Sequence, residues 1–504
     1  MSRYTVMTSI PYVNGKPHVG HALELVQADV LARHRRQRGD EVRAQTGTDD
    51  NALKNVRSAE AEHIAPAAYV ARVATRFAAL GPALDLSFDD FLRTSSDPRH
   101  RPGVERLWTA SAQAGDLYRK SYTGLYCVGC ELFYAEDELV DGLCPEHLTP
   151  PELVEEENWF FRLSRYADQL ARLITEDTIR IVPESRKREV LSFIAAGLED
   201  FSASRSVQRA RGWGIPVPDD ADQVIYVWYD ALANYITGPG YGTDEQNFQY
   251  WWDDSTERVH VIGKGIIRFH AVYWPAMLLS AGITLPTTIF VHEYLTAGGQ
   301  KISKSLGNAE DPADIAATFG PDALRWWLLR DVARAGDTDY TPARLVGRAN
   351  EDLANNIGNL VNRTVSMVGR YRAGRIPLPA LDNPAATALR AARARAAGDI
   401  DRALAEFDFR RAAEAVIRIG DEGNRYVEAT APWALAKAER TEDAPADRLD
   451  AVLAELVVTC QALATRLTPF LPAAAARIAQ QCGDGGPTVA EAKPVFTKLE
   501  PPTS

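Results

Sequence analysis

The sequence predicts an α/β protein in which a doubly wound parallel sheet carries an inserted segment and is followed by an all-α helical bundle. Three observations predict this fold. Short apolar strands alternate with helical patterns before residue 100 and again from 222 to 330. Two closely spaced Cys/His pairs lie between these parts. From residue 344 to about 481, apolar residues recur three and four positions apart.

The totals describe a globular protein of several domains. With 504 residues the chain is too long for one core, so we expect two to four domains. Its longest apolar run is broken by Pro275, and the N-terminus lacks a signal-peptide pattern, so we expect a cytoplasmic protein without a membrane segment. The net charge of −12 argues against a large basic surface, although a local basic stripe on an acidic body still allows RNA binding.

The first strand, over residues 4–10, leads through a turn into His18-Val19-Gly20-His21. These four residues open a helical pattern from Ala22 to Arg38. The N-terminus of a helix favours phosphate through its N–H groups and its dipole. Gly20 lets a base or ribose approach, and the two imidazoles could donate to phosphate oxygens. The alternative is a pair of surface histidines that cap a helix.

The second strand, Glu41–Thr46, ends at Gly47-Thr48-Asp49-Asp50. Strand ends of open α/β sheets line ligand crevices, so the two carboxylates could hold an amino group. The alternative is that one of them caps the following helix.

Four residues of the inserted segment have the spacing of a zinc site, Cys127, Cys130, Cys144 and His147. Three thiolates and one imidazole complete a tetrahedral shell and leave no position for water, so this zinc would be structural. Cys460 and Cys482 lie in or beside helical patterns and are expected to be ordinary apolar residues.

Further strands are predicted over 224–228, 258–263 and 288–292, and a glycine-flanked lysine pair follows in Lys301-Ile302-Ser303-Lys304-Ser305. Glycines permit a mobile loop, and two ammonium groups on it could close on a polyphosphate. The alternative is a solvated lysine turn.

The C-terminal third is predicted to be a helical bundle with a break over residues 374–384. Arginines cluster between residues 390 and 418, and interleaved acidic residues favour a solvated, salt-bridged face for most of them. The proline-containing tail, residues 488–504, is expected to be frayed.

In combination, these stretches resemble the methionyl-tRNA synthetase family of class I aminoacyl-tRNA synthetases over nearly the whole chain. The resemblance rests on matching stretches at residues 11–15, 18–21, 47–50, 127–147, 213–216, 226–231, 269–275, 301–305, 359–363 and 431–433. It implies a Rossmann-like catalytic domain in two halves, an inserted connective domain with the zinc knuckle, a stem-contact segment, an anticodon-binding domain and a tail. The corresponding limits are 1–115 with 221–320, 116–220, 321–345, 346–485 and 486–504.

The resemblance also implies the reaction: L-methionine is ligated to tRNA(Met) through methionyl-adenylate, with release of AMP and pyrophosphate. ATP would be bound with Mg²⁺, one Zn²⁺ would be structural, and a monomer is favoured. Matching positions imply catalytic groups at His18, His21, Lys301 and Lys304, with Gly20, Ser303 and Ser305 also at ATP. They imply methionine contacts by Ile10, Tyr12, Asp50, Trp228, Ala231, Leu232, Tyr235, His270 and Trp274. They imply anticodon contacts by Asn359, Arg363 and Trp433.

The chain departs from the family pattern at a few positions. Asn51-Ala52 stands where the family usually has His-Gly, Glu293 replaces a glycine near the adenosine, and Ile302 replaces a methionine. These differences leave a second hypothesis open: a specialised synthetase paralogue that activates an amino acid for a different acceptor or has altered inhibitor sensitivity. A third hypothesis is a catalytically silent RNA-binding relative.

Overall fold

The computed structural model describes residues 2–302, 310–378, 383–441 and 446–500, and the chain forms two compact units. The first unit comprises residues 1–28, 38–81 and 87–292. The second comprises residues 29–37, 82–86 and 293–504. Among the described residues, none of the helices combines the length and the apolar character that crossing a membrane requires.

The elements of the first unit alternate between strands and helices along the chain. Its strands are β1 (Arg3–Thr8), β2 (Glu41–Thr48), β3 (Asp90–Arg93), β4 (Leu117–Cys127), β5 (Leu132–Tyr134), β6 (Glu152–Phe161), β7 (Arg180–Val182), β8 (Phe201–Ser202), β9 (Ser204–Ser206), β10 (Pro216–Val217), β11 (Asp220–Ile225), β12 (Glu257–Gly263) and β13 (Thr288–His292). The helices lying wholly or partly in it are α1 (Val19–Gln37), α2 (Leu53–Ala61), α3 (Pro66–Ala78), α4 (Leu80–Ala83), α5 (His100–Gln113), α6 (Ala167–Thr175), α7 (Glu184–Ala195), α8 (Val227–Leu232), α9 (Asn234–Thr237), α10 (Glu245–Phe248) and α11 (Trp274–Ser280).

The central sheet of the first unit is parallel, with the strand order β3-β2-β1-β12-β13-β7. Strand β1 is buried over Tyr4–Thr8, as expected for a strand with both faces covered. The strand order runs outward in both directions from the β1–β12 pair. The carboxyl ends of these two strands therefore flank a crevice of the kind in which open α/β sheets bind ligands. This confirms the predicted doubly wound sheet.

The prediction of a strand over residues 224–228 is wrong in part. Strand β11 already ends at Ile225 and pairs antiparallel with β9 and β10, outside the central sheet. The Tyr226 N–H donates to the carbonyl of Ala203, and its own carbonyl accepts from Asp230, so the chain turns into helix α8 at this point. The apolar run thus serves as a short strand followed by a buried helix, two structures that periodicity alone does not separate.

The inserted segment is built on an antiparallel sheet with the order β5-β4-β6-β8. Strands β4 and β6 pair along their length, from Leu117 opposite Phe161 to Tyr126 opposite Glu152. This long ribbon carries Cys127 at the end of β4. Strand β7, which follows in the same segment, returns to the edge of the central sheet and was not predicted. With three residues it is too short to show a periodic pattern.

The second unit is mainly helical. Its strands are β14 (Leu295–Ala297), β15 (Gln300–Lys301) and β16 (Thr338–Asp339). Its further helices are α12 (Pro312–Phe319), α13 (Pro321–Arg330), α14 (Pro342–Arg348), α15 (Asn359–Arg372), α16 (Thr387–Ala405), α17 (Phe409–Thr430), α18 (Pro432–Thr441), α19 (Asp447–Leu467) and α20 (Pro472–Gln481). Helix α16 packs on α17, α17 on α19, and α19 on α20, which confirms the predicted helical region.

Ion pairs hold this unit together. The fully buried guanidinium of Arg325 bonds to Asp29 at 2.7 Å and donates to the carbonyls of Leu84 and Phe470. Arg390 and Arg393 both pair with Glu455, as predicted for salt-bridged arginines, but the Glu455 side chain is buried and not on a solvated face. These arginines therefore stabilise the bundle.

The expectation of a frayed tail is wrong for residues 488–500. The Val489 N–H donates to the Gly374 carbonyl at 2.9 Å. The Asn350 amide exchanges two hydrogen bonds of 2.8 Å with the backbone of Leu499, and Val495 is buried. Hydrogen bonds to residues far away in the sequence fix the tail, and no local sequence pattern predicts them.

Candidate active site

The two signature histidines lie at the start of α1. Their rings are stacked with centroids 3.8 Å apart, and His21 also contacts the edge of Phe77. Nδ1 of His21 accepts the backbone N–H of His18, and Nδ1 of His18 accepts that of Gly20. Each neutral imidazole therefore carries its proton on Nε2, the nitrogen suited to donate to an anion. A Cβ at Gly20 would lie 3.0 Å from the His18 ring, so only glycine leaves this arrangement unstrained.

The two adjacent aspartates after β2 differ sharply in their surroundings. Both Asp50 oxygens are occupied: Oδ2 accepts from Arg93 at 2.8 Å and from Ser95 at 2.6 Å, and Oδ1 accepts from Thr48 at 2.8 Å. Asp49 accepts one backbone N–H, from Asn51, and has no other side-chain bond among the described residues. Of the two carboxylates, Asp49 is the one with bonding capacity left for a ligand.

Asp49 is buried and lies in backbone contact with Tyr12, which follows β1. Burial raises the pKa of Asp49 well above its ordinary value, and the nearby charge of Asp230 raises it further. An approaching cation would favour the ionised form. Neither aspartate caps α2 with its side chain, since the N-cap of that helix is Ala52 without a side-chain bond.

Asn51, one of the departures from the family pattern, bonds to a buried carboxylate. Its amide donates to Asp230 at 2.7 Å, and the other oxygen of Asp230 lies 2.6 Å from Nε2 of His100. Nδ1 of His100 is in turn 2.8 Å from Thr237. Asn51 thus supplies a hydrogen bond to one carboxylate oxygen of Asp230, near Asp49, while His100 bonds to the other.

Aromatic residues form a buried cluster in the same unit. Trp228 stacks on Phe269 with centroids 3.7 Å apart and meets Tyr12 edge-on at 6.1 Å. Tyr235 and Trp274 pack together farther along, with centroids 5.9 Å apart. Ala231 and Leu232 are buried on helix α8, and Ile10 is half-buried after β1. The structure therefore brings most of the predicted methionine contacts into one region.

Two histidines of this cluster are held neutral. Nδ1 of His270 bonds to the Ile266 carbonyl at 2.9 Å, and Nε2 lies 2.7 Å from the Tyr235 hydroxyl, which therefore donates to it. Burial lowers the pKa of His270 to about 4. His260, whose Nε2 accepts from Trp274, also has its pKa lowered by burial. These two imidazoles thus supply polar groups without a positive charge at neutral pH.

Lys54 and Phe269 contact the aromatic cluster, and the sequence did not single them out. The Lys54 ammonium lies 3.4 Å from the centroid of the Tyr12 ring and donates to the Gly129 carbonyl at 2.9 Å. Its burial lowers the pKa to about 8. Phe269 is adjacent to His270 in the matching stretch and could have been found there. Nothing in the helical pattern around Lys54 distinguishes it.

The four predicted metal ligands form one cluster. Their ligand atoms all lie within 4.8 Å of one another. Sγ of Cys130 lies 3.4 Å from Sγ of Cys144 and 3.2 Å from Nδ1 of His147, while Cys127 is buried beside them. Three sulfur donors and one imidazole are a donor set that fits tetrahedral zinc. The backbone carbonyl of Cys130 accepts the indole N–H of Trp228 at 3.4 Å, so the metal-ligand cluster contacts the aromatic cluster.

The lysine signature falls largely outside the described residues. Residues 303–309, with Ser303, Lys304 and Ser305, are not described, and of Lys301 only the backbone is. Glu293, another departure from the family pattern, is buried in the second unit.

The predicted anticodon residues lie in the second unit. The Arg363 guanidinium is 5.8 Å from the ring centroid of Trp433, and Trp433 is 49% exposed. Asn359, the first residue of α15, is exposed as well. An exposed indole beside a guanidinium and an amide can stack on and hydrogen-bond to unpaired bases.

Comparison with known proteins gives a consistent result along the chain. The family of class I tRNA synthetases (M) matches residues 4–150 and 147–365, and the anticodon-binding domain of methionyl tRNA ligase matches residues 377–500. The methionine–tRNA ligase of Mycobacterium bovis is 41% identical, covering 100% of this chain and 96% of that protein. The methionine–tRNA ligase of Fusobacterium nucleatum is 38% identical, and the match covers 99% of this chain and 80% of that protein. The solved structure of Mycobacterium tuberculosis methionyl-tRNA synthetase in complex with methionyl-adenylate matches with a TM-score of 0.92 and 38% identity. The match covers 98% of this chain and 100% of that chain.

Proposed function

Because the chain belongs to the methionyl-tRNA synthetase family, we propose that it joins L-methionine to tRNA(Met) in two steps that consume ATP. In the first step a carboxylate oxygen of methionine bonds to the α-phosphorus of ATP, and pyrophosphate leaves. In the second step the 2′-hydroxyl of the terminal adenosine of the tRNA bonds to the methionyl carbon, and AMP leaves. Catalysis of this kind depends on positioning and on electrostatic stabilisation.

The aromatic cluster of the first unit carries this proposal, and we infer that methionine binds against it. A thioether is a weak acceptor and makes favourable contacts with aromatic rings, so apolar walls with one polar donor are suited to methionine. Trp228 and Trp274 supply walls, and the Tyr235–His270 pair supplies polar groups without a net charge. Ile10, Ala231 and Leu232 add aliphatic surface.

We assign the α-ammonium of methionine to Asp49 rather than to Asp50, the residue expected from the sequence. The Asp50 carboxylate already neutralises Arg93 and accepts from two hydroxyls. Asp49 lies beside Tyr12, whose buried hydroxyl has no partner among the described residues. An ammonium between these two groups would satisfy both.

The phosphates of ATP are proposed to bind at the N-terminus of α1. Nε2–H groups of His18 and His21 would donate to phosphate oxygens, and Gly20 would admit the nucleoside. Lys301 and Lys304, with Ser303 and Ser305, would contribute further donors from the lysine signature. Mg²⁺ would accompany the triphosphate as its counter-ion.

The cluster of Cys127, Cys130, Cys144 and His147 would hold one Zn²⁺, which supplies structural cross-linking and no reactive position. The carbonyls of Gly129 and Cys130 in the same knuckle bond to Lys54 and Trp228. Zinc would therefore also stabilise one side of the methionine pocket.

Asn359, Arg363 and Trp433 are proposed to contact the anticodon, within the helical domain predicted over residues 346–485. The other predicted limits, 1–115 with 221–320 for the catalytic halves, 116–220, 321–345 and 486–504, remain proposals. We further propose that the protein acts in the cytoplasm as a monomer.

ATP–pyrophosphate exchange across all amino acids, followed by charging of tRNA, tests the proposed function. Exchange is expected with methionine alone, and charging at a comparable rate is expected with tRNA(Met). Exchange with another amino acid but not with methionine would contradict the proposal. Exchange with methionine without any charging would favour the paralogue that serves a different acceptor.

A further inference from the structure

The docked tail of the second unit forms one wall of a groove that runs along the start of α15 and the π-helical segment Ala349–Gly358 before it. The groove is open to solvent, has a volume of about 450 Å³ and is lined on its helical side by Asn355, Asn359 and Asn362. Pro494 and Phe496 line the opposite side. The proposed anticodon residue Asn359 is thus one member of a longer row, and the tail faces that row.

The helical side of the groove presents amide groups in a line. Asn359 and Asn362 are three apart on α15 and so share one face of it, and Asn355, from the preceding segment, lines the same groove. All three asparagines are exposed, and their amides have no protein partner within the described part of the chain. An amide offers two donors and an acceptor, and these groups recognise the edges of unpaired bases.

The tail side presents an aromatic ring at a fixed position. Phe496 lies against Gly358, where a Cβ would approach the ring to 3.3 Å, so the missing side chain makes room for it. On one side of Phe496, Val495 is buried and its carbonyl accepts from Arg477 at 3.3 Å. On the other, Asn350 fixes the backbone of Leu499. The ring is only half-buried and is held in place before any ligand binds.

The groove has the chemistry of a single-stranded RNA site. Aromatic platforms bind unstacked bases, and nearby cations bind the phosphates that connect them. Lys493 and Lys498 flank Phe496 in the sequence, and both are exposed. The segment that matches the family's anticodon-binding domain extends to residue 500 and therefore includes the tail.

We propose that Phe496 stacks on an unpaired nucleotide of the tRNA anticodon loop, while the amides of Asn355 and Asn362 contact the edge or the ribose of that nucleotide. This inference rests on the proposed function. It adds a nucleotide-binding subsite, formed jointly by the tail, α15 and the segment Ala349–Gly358, to the contacts proposed for Asn359, Arg363 and Trp433.

The first test compares Phe496→Ala with Phe496→Tyr in the full chain. Loss of one base–aromatic stack is expected to raise the KM for tRNA about five-fold or more, and the tyrosine variant restores it. The effect of Phe496→Ala should be confined to the tRNA-dependent step, so ATP–pyrophosphate exchange measured without tRNA should be unchanged. Thr497→Ala, an exposed neighbour in the same tail, is the matched control and leaves the KM for tRNA unchanged.

An unchanged KM for tRNA in Phe496→Ala would overturn the proposal. So would a raised KM that tyrosine fails to restore, since the ring would then act only in packing. A second test uses a photoreactive phenylalanine analogue at position 496: crosslinks to the anticodon loop are expected, and crosslinks elsewhere or none would refute the contact. Failure of the proposed function is distinguishable, because the unaltered protein would then charge no tRNA.

Discussion

Replacing Asp49 and Asp50 by asparagine, one at a time, distinguishes the roles of the two neighbouring carboxylates. We expect Asp49→Asn to impair methionine binding and Asp50→Asn to impair stability. The structure gives the reason: Asp49 keeps bonding capacity for a ligand, whereas Asp50 pairs with Arg93 and accepts from Ser95 and Thr48.

The magnitudes follow from these contacts. A hydrogen bond to a charged group contributes about 1.5–3 kcal/mol, so Asp49→Asn should raise the KM for methionine roughly 10- to 150-fold. Breaking a buried ion pair costs about 3–5 kcal/mol. Arg93 is 24% exposed and can regain water, so Asp50→Asn should lower the free energy of unfolding by about 3 kcal/mol or less.

The assays are ATP–pyrophosphate exchange as a function of methionine concentration and thermal unfolding of each variant. The pH dependence adds an independent measure. A protonated Asp49 has lost the negative charge that attracts an ammonium, so kcat/KM for methionine should fall as pH falls through the raised pKa of this residue. The Asp49→Asn variant should lack that decrease.

The opposite pattern would refute the reasoning. If Asp50→Asn raised the KM for methionine more than Asp49→Asn did, with an unchanged unfolding temperature, the ammonium site would belong to Asp50. The ion pair with Arg93 would then have to open when methionine binds.

Three further predictions concern the anticodon face, the metal cluster and the buried histidine. Trp433→Ala should raise the KM for tRNA at least five-fold without affecting pyrophosphate exchange, because its exposed ring can stack on a base; equal losses in both assays would assign it to packing. Metal analysis should find one zinc per chain and none in Cys144→Ser, and an unaltered protein without zinc would contradict the four-ligand site. Since burial lowers the pKa of His270 from 6.5 to about 4, the unfolded chain protonates first on acidification. The contribution of His270 to the free energy of unfolding should therefore decrease by about 3 kcal/mol as the pH falls from 6.5 to 4. Urea unfolding should show that the free energy of unfolding of His270→Gln decreases less over this pH range than that of the unaltered protein. Equal decreases in the two proteins would contradict the assignment.

Features encoded by local spacing could be predicted from the sequence. The zinc ligands occur as two short pairs, and a thiolate–imidazole set at this spacing has few other uses. The strand predicted over 288–292 and the helical run after residue 344 follow from apolar periodicity. The family was identified because many such stretches occur in the same order.

Features that depend on partners far along the chain required the tertiary structure. Asp49 and Asp50 are adjacent and chemically identical, and they differ only because Arg93 and Ser95 come to lie beside one of them. The tail has the composition of a frayed end, yet Asn350 holds it in place from another helix. Periodicity records which faces are buried, but it does not record which distant group occupies the other side of a contact. The sequence therefore determined the family and the elements, whereas folding decided which carboxylate remains available and what the tail contacts.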